Sequence, residues 1–327
     1  EFDVHPLATI MNAGGYDFIT LGNHDFNYGK EYLKKYLNNL NATCLCANVV
    51  DKTNELPIFP YKIKTMENGL KELQQRLVEM LSSFQKFTQQ NGMIFFLVGG
   101  SALGAVRHQG FIPWDDDVDI AMMREDFEKM EYLMSLQHDR LGEFIYSPVE
   151  KHMIPDAPIG YLYDTLHADA GYENTAKIDI HPIDGVPKSG VLKKVQKWTS
   201  LIYYLSEYRL PVKNKGKAIR NISKVILKIT PGFIFRFYMR VCKKIMTSWR
   251  TSDSEYICSL FGVAGYEREV MPKSYLLPLK EADFENKVFM IPGNYDPYLK
   301  RLYGDYKKMP PEMEQHPRHK IHELYKK

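Results

Sequence analysis

Cysteine is scarce in this chain of 327 residues: there are four, Cys44, Cys46, Cys242 and Cys258. None stands in a CxxC pair, which argues against a structural zinc site. Four is also too few for a disulfide framework, and such sparing use suits a reducing cytoplasm. No apolar run approaches the ~18 residues that a membrane span requires. No secretory signal is visible, in a chain that starts at Glu1 rather than Met. Internal repeats and low-complexity tracts are missing too, so a repeat architecture is excluded.

What is present suits a globular enzyme. The hydrophobic fraction is 44% and the charged fraction 25%, enough apolar surface for a sizeable core. The net charge of +3 says little, but its distribution says more. Residues 186–250 hold sixteen Lys and Arg against one acid, Glu207. Such a block can face anionic lipid or a phosphorylated polymer, or form solvated helix faces. Nucleic acid is not the expected partner. Within it, "ISKVILKITPGFIFRFYMRVCKKIM" mixes basic and apolar residues, a pattern that can lie on an anionic membrane or pack as two helices.

The pattern of apolar residues predicts an α/β (α+β) fold: a mixed sheet flanked by helices, a mainly helical C-terminal half and a short N-terminal α/β fragment. Residues 1–65 read as a strand over Asp17–Leu21, a helix near 29–41 and a second strand after it. A boundary falls near Met66. Leu70, Leu73, Leu77, Leu81, Phe84 and Phe87 then lie near one stripe of an amphipathic helix that Gly92 caps. "MIFFLV", "DVDIAM", "AKIDIHPI" and "NKVFMIP" read as strands, "REDFEKMEYLMSL" and "DPYLKRLYG" as helices. The basic block reads as helical, interrupted at Pro211 and Pro231. The tail from Pro310 reads as irregular, and His316, His319 and His322 in it as solvated rather than metal-binding.

The chemistry lies between Phe95 and Met122, in "FFLVGGSALGAVRHQGFIPWDDDVDIAM". Side chains alternate along a strand, so Asp117 and Asp119 share a face while Val118 and Ile120 point to the core. Two carboxylates roughly 7 Å apart at Cα repel unless a cation sits between them. A hard divalent ion, Mg2+ or Mn2+, meets that need. Asp179, flanked by Ile178 and Ile180, is the natural third carboxylate and the choice for a general base. Gly99 and Gly100 let the backbone approach a phosphate, with an anion nest in the N–H groups that follow. Ser101, Arg107 and His108 can add hydrogen bonds or positive charge, and Trp114 an aromatic face. Asp115 and Asp116 are expected to shape the turn before the strand. His181 shares the Asp179 side and reads as a strand histidine satisfied within the fold. A strand, GGS, a spacer, a strand with DxD and a distant strand with one Asp form the layout of the nucleotidyltransferase superfamily.

On these residues the chain resembles the LicD family, which includes fukutin-type proteins. The resemblance runs through "VGGSALGAVRHQGFIPWDDDVDIAM", "IDIHPIDGVP" and "YLKRLYGDYKKMPP", and covers 66–327 as one domain. It implies metal binding by Asp117, Asp119 and Asp179 and donor-phosphate contacts at Gly100, Ser101 and Arg107. It further implies transfer of a phospho-alcohol, such as phosphocholine, from a CDP-linked donor to a cell-surface glycan of lipopolysaccharide or teichoic-acid type. The acceptor can be lipid-linked. The expected place is the cytoplasm, with peripheral contact at the inner face of the membrane through 186–250. Nucleotidyl transfer remains the alternative. Residues 1–65 resemble something else: "YDFITLGNHDFNYG" is similar to a calcineurin-like metallophosphoesterase of the 5′-nucleotidase group. In that family Asn23 would be a metal ligand and His24 would assist the phosphate. The GHxH segment is missing from this chain, so the stretch reads as a truncated or fused fragment that does not catalyse.

Overall fold

The computed structural model describes residues 6–21, 27, 29–45, 58–59, 67–148, 159–168, 171–172, 175–208, 232–262, 264–311, 314–317 and 321–325. Asn23, His24, Cys46, His319, the side chain of His322 and the stretch 209–231 with Pro211 and Pro231 lie outside them. The chain forms two compact units, Glu1–Met66 and Glu67–Lys327.

The first unit alternates helix and strand. It contains α1 (Pro6–Ala13), β1 (Phe18–Ile19), α2 (Lys30–Asn38), β2 (Thr43–Leu45) and β3 (Ile58–Phe59). The strands pair in parallel in the order β1-β2-β3. Its small core is Ala8, Leu33, Tyr36, Leu37 and Cys44. The Asn12 amide donates to the Asn39 carbonyl, and Asn12 Oδ1 accepts from the Asn41 N–H, tying α1 to the end of α2.

The second unit opens with α3 (Glu67–Gln90). Leu73, Leu77, Leu81 and Phe84 fall on its inner face and are fully buried. Each such side chain is worth about 1.5–3 kcal/mol over its exposed state. Gly92, at φ +59°, turns the chain out of the helix where another residue would be strained.

Next come β4 (Phe95–Leu97), α4 (Gly99–His108), β5 (Val118–Met123), α5 (Arg124–Leu136), β6 (Arg140–Leu141), β7 (Phe144–Ser147), β8 (Gly160–Tyr163) and β9 (Lys177–Val186). After α6 (Gly190–Tyr208) and α7 (Gly232–Met246) the chain returns as β10 (Tyr256–Ser259), α8 (Tyr266–Glu269) and β11 (Met271–Pro272). The hairpin β12 (Lys280–Phe284) and β13 (Lys287–Ile291) precedes α9 (Tyr295–Tyr303).

Strand β9 is the spine of the main sheet. One edge carries β8 and then β10, both antiparallel; the other carries β5 in parallel, with β4 antiparallel beyond it. Buried Gln196 docks α6 on this spine: its amide donates to the carbonyls of Gly185 and Met246, and its oxygen accepts from the Tyr266 hydroxyl. A bidentate ion pair, Arg124 to Asp184 at 2.7 and 2.6 Å, clamps the end of β5 to β9.

The elements expected from periodicity between Leu70 and Met123 are present. The C-terminal tail departs from the expected irregular course. Residues Ile321–Tyr325 form a 3-10 turn that packs on α3 with Ile321 and Tyr325 buried. The Tyr325 hydroxyl donates to Asp164 and accepts from the Ala176 N–H, and Asp164 receives both prongs of Arg76. Two apolar anchors and one hydroxyl therefore hold a segment whose composition is polar. No helix among the described residues is long and apolar enough to cross a membrane.

Candidate active site

The register of β5 on β9 builds the site. Asp119 pairs with Asp179, and Ala121 with His181. Parallel strands in register bring equivalent side chains to about 4.8 Å from each other on the same face. The alternate residues, Val118, Ile120, Ile178 and Ile180, are fully buried on the other face. Ligand atoms of Asp119, Asp179 and His181 lie within 4.8 Å of one another. His181 Nε2 is 3.0 Å from Asp119 Oδ1. Being satisfied in the strand and belonging to the site are thus the same fact for this histidine.

Asp117 stands one residue before the ladder begins at Val118. It groups with Asp115 and Asp116 rather than with the strand-borne pair. Its carboxyl still feels them. Burial, then the charges of Asp119, Asp115, Asp179 and Asp116, push its pKa up to about 9. Burial likewise pushes Asp179 to about 6, against the pull of Lys177. Lys177 hydrogen-bonds Asp179 Oδ2 at 3.3 Å and lies 3.1 Å from Oδ1. That Oδ1 is buried and accepts no hydrogen bond.

Gly99 and Gly100 open α4 directly from β4, so the positive end of a helix dipole points at the acids. Gly99 has φ +54°, and a Cβ on it would sit 3.0 Å from Asp119 Oδ2. Its N–H donates to the Tyr298 hydroxyl at 2.9 Å. A Cβ on Gly100 would stand 3.1 Å from Asp115 Oδ2. Ser101 is buried, and its Oγ accepts from the Asp119 N–H at 3.0 Å, so it holds the acid-bearing strand in place. Arg107 donates to the Tyr306 carbonyl and to His108 Nε2, each at 2.9 Å. Burial, then the Arg107 charge, holds His108 below the usual imidazole range, as suits an acceptor nitrogen. His108 thus accepts from Arg107 and is not among the residues that line the cavity.

A cavity of about 1000 Å3 opens over this face. Gly99, Gly100, Arg107, Trp114, Asp117, Asp119 and His181 line it; Asp179 does not. Its remaining walls include Ser259 on β10 and Glu269 on α8, which the sequence did not mark, and Tyr298, Tyr303 and residues from Asp305 to Pro311, which lie in the "YLKRLYGDYKKMPP" stretch of the resemblance but had no site role assigned. Besides that stretch, the local signal was the aromatic, amphipathic α9, which carries both Tyr298 and Tyr303. Burial pushes the Glu269 carboxyl above its ordinary pKa, opposed by the His181 charge.

Residues 92–207 match the family described as "LicD/FKTN/FKRP, nucleotidyltransferase domain". These residues are a LicD-family domain. The matched span contains Gly99, Gly100, Ser101, Asp117, Asp119, Asp179 and His181. The chain is 26% identical over 279 residues to the lipopolysaccharide cholinephosphotransferase LicD of Haemophilus influenzae, covering 78% of this chain and 97% of that protein. It is 31% identical over 112 residues to the uncharacterized protein RT0683 of Rickettsia typhi, of which it spans 36%. A separate similarity, 41% identity over 63 residues, is to a 2′,3′-cyclic-nucleotide 2′-phosphodiesterase/3′-nucleotidase of Salmonella typhimurium, but spans only 10% of that enzyme. The matched domain and the relative in Haemophilus support a transferase, and the fold is α/β.

Proposed function

We propose that the LicD-family domain transfers a phospho-alcohol of phosphocholine type from a CDP-linked donor to a cell-surface glycan of lipopolysaccharide or teichoic-acid type. The observation that carries this reading is the juxtaposition of Asp119, Asp179 and His181 beneath the glycine-opened end of α4. The relative in Haemophilus, similar along almost its whole length, supports the chemistry.

The acids fit a divalent cation. Asp179 Oδ1 is buried with no hydrogen bond beyond its ion pair with Lys177, and the missing Cβ of Gly99 leaves space beside Asp119 Oδ2. Asp119, Asp179 and His181 would hold the ion, with Asp117 next to them. Carboxylate oxygens suit Mg2+, and one imidazole makes Mn2+ equally acceptable. Bound there, the ion would supply positive charge against a donor diphosphate. The chain's own groups do the rest. The N–H groups of Gly100 and Ser101 at the opening of α4 donate to phosphate oxygens, and Arg107, held by Tyr306 and His108, adds a fixed guanidinium. A volume of about 1000 Å3 accommodates a nucleotide-linked donor and part of an acceptor.

Isothermal titration of CDP-choline and CDP-ribitol, with and without Mg2+, tests the reading. Metal-dependent binding that Asp119→Asn removes is the expected result. Binding of ATP or CTP in place of both would move the reading to nucleotidyl transfer, which the family's own description favours. Phosphoesterase activity from residues 1–65 is the third reading; residues 67–327 expressed alone would then lose activity rather than keep it.

Peripheral contact with anionic membrane at the cytoplasmic face belongs to the same proposal. On α6, Val191, Val195, Trp198 and Ile202 recur at helical spacing and are exposed, beside Lys194 on the outer surface. A lipid-linked acceptor would be met there.

A further inference from the structure

We infer that Glu269 is the general base that receives the proton of the acceptor hydroxyl, a role no feature of the sequence marked. This deepens the phosphotransferase reading and rests on it. Asp179, the base expected from strand patterning, does not line the cavity and is engaged by Lys177. Asp119 is bonded to His181 and faces the proposed ion. Glu269 differs from both. It lines the cavity, no cation among the described residues lies within ion-pair distance, and its one hydrogen bond is a long one, 3.3 Å, from the Ala264 N–H.

The protein builds this position with some care for its geometry. Gly262 leaves room for the carboxylate: a Cβ there would collide with Glu269 Oε1. Arg301 of α9 donates to the carbonyls of Glu267 and Arg268 at 2.7 and 2.8 Å, which holds the α8 turn against the cavity. Ser259, on the same side, has a buried hydroxyl without a hydrogen-bond partner. A part-buried carboxylate with so little support costs stability, and such groups concentrate where chemistry uses them.

The step balances without a further reactant. The acceptor oxygen forms a bond to the donor's phosphorus as its proton passes to a Glu269 oxygen. The bridging P–O bond breaks, and its electron pair leaves with the nucleoside monophosphate. The acceptor class is a sugar or polyol hydroxyl, which needs a base because its own acidity is low.

The test compares wild type, Glu269→Gln and Glu269→Asp as full chains, using CDP-choline, Mg2+ and a lipopolysaccharide-derived oligosaccharide. Release of CMP gives kcat, and titration calorimetry gives donor affinity. Glu269→Gln should lower kcat by about 100-fold or more, with donor affinity unchanged. Glu269→Asp should recover part of the rate. The acid limb of the kcat–pH profile should be present in wild type and lost in Glu269→Gln. The groups able to shift that limb are His181 and Asp119 on the sheet, Cys258 on β10, and Tyr298 and Arg301 on α9. A Glu269→Gln rate within about threefold of wild type would overturn the assignment, as would an unchanged acid limb or a parallel loss of donor affinity. If wild type neither binds CDP-choline nor releases CMP, the reading beneath it falls first.

Discussion

The ion pair between Arg124 and Asp184 offers the sharpest test of how the fold supports the site. Asp184 is fully buried, and Arg124 retains 8% of its surface. Both guanidinium contacts are short, at 2.7 and 2.6 Å. The guanidinium also lies 5.5 Å from the Phe127 ring. Asp184→Asn keeps the shape but leaves a buried cation uncompensated, which costs about 3–5 kcal/mol. In a unit spanning Glu67–Lys327 that corresponds to a fall in Tm of about 6–20 °C. The pair closes the parallel ladder in which Asp119 faces Asp179, so metal-dependent donor binding should weaken in the same variant. Replacing both partners by apolar residues, Arg124→Met with Asp184→Leu, should recover most of the stability, since the desolvation of two charges disappears with their attraction. Urea and thermal unfolding of the single and double variants give the coupling energy directly. A cost below about 1 kcal/mol for Asp184→Asn, or simple additivity of the two single variants, would refute the reasoning.

Gly99→Ala places a Cβ 3.0 Å from Asp119 Oδ2 at φ +54°. It should destabilise by about 1–3 kcal/mol by thermal melting and depress turnover more than donor affinity. Asp119→Asn should abolish CMP release while its circular dichroism spectrum stays that of wild type. Burial would raise the Asp164 carboxyl, but the Arg76 fork and the Leu166 N–H outweigh it and hold the pKa below the ordinary range. That contribution to stability is present above the unfolded pKa of about 3.9 and lost as pH falls through the folded one. In Arg76→Leu the acid unfolding midpoint should therefore move to higher pH. Tyr325→Phe removes a donor to Asp164 and an acceptor for Ala176, and should cost about 1–3 kcal/mol in urea. Sedimentation with vesicles containing anionic lipid should carry the protein down at low salt, and Trp198→Ala should reduce the bound fraction; binding insensitive to salt and to this change would remove the membrane contact.

Local chemistry made part of this protein legible. A strand has period two, so "DVDIAM" and "KIDIHPI" each announced acids on one face and a core on the other. The helical stripe from Leu70 to Phe84 was equally plain, because 3.6-residue periodicity is a property of the chain itself. Glycines after a buried strand marked the opening of α4 for the same reason. Partnership is different. Alternation places Asp119 and Asp179 on their own strands; only the parallel register sets them side by side and brings His181 into the pair. It is also tertiary packing that leaves Asp117 before the ladder, turns His108 toward Arg107 and takes Asp179 away from the cavity wall. Glu269, Tyr298 and the segment after Asp305 reach the site across long sequence separations, through a sheet edge and a docked helix that no short window can report. Composition and periodicity decide which residues can be buried or charged on a given face. Which face meets which is decided by the joint burial of the whole core, and the catalytic geometry belongs to that second decision.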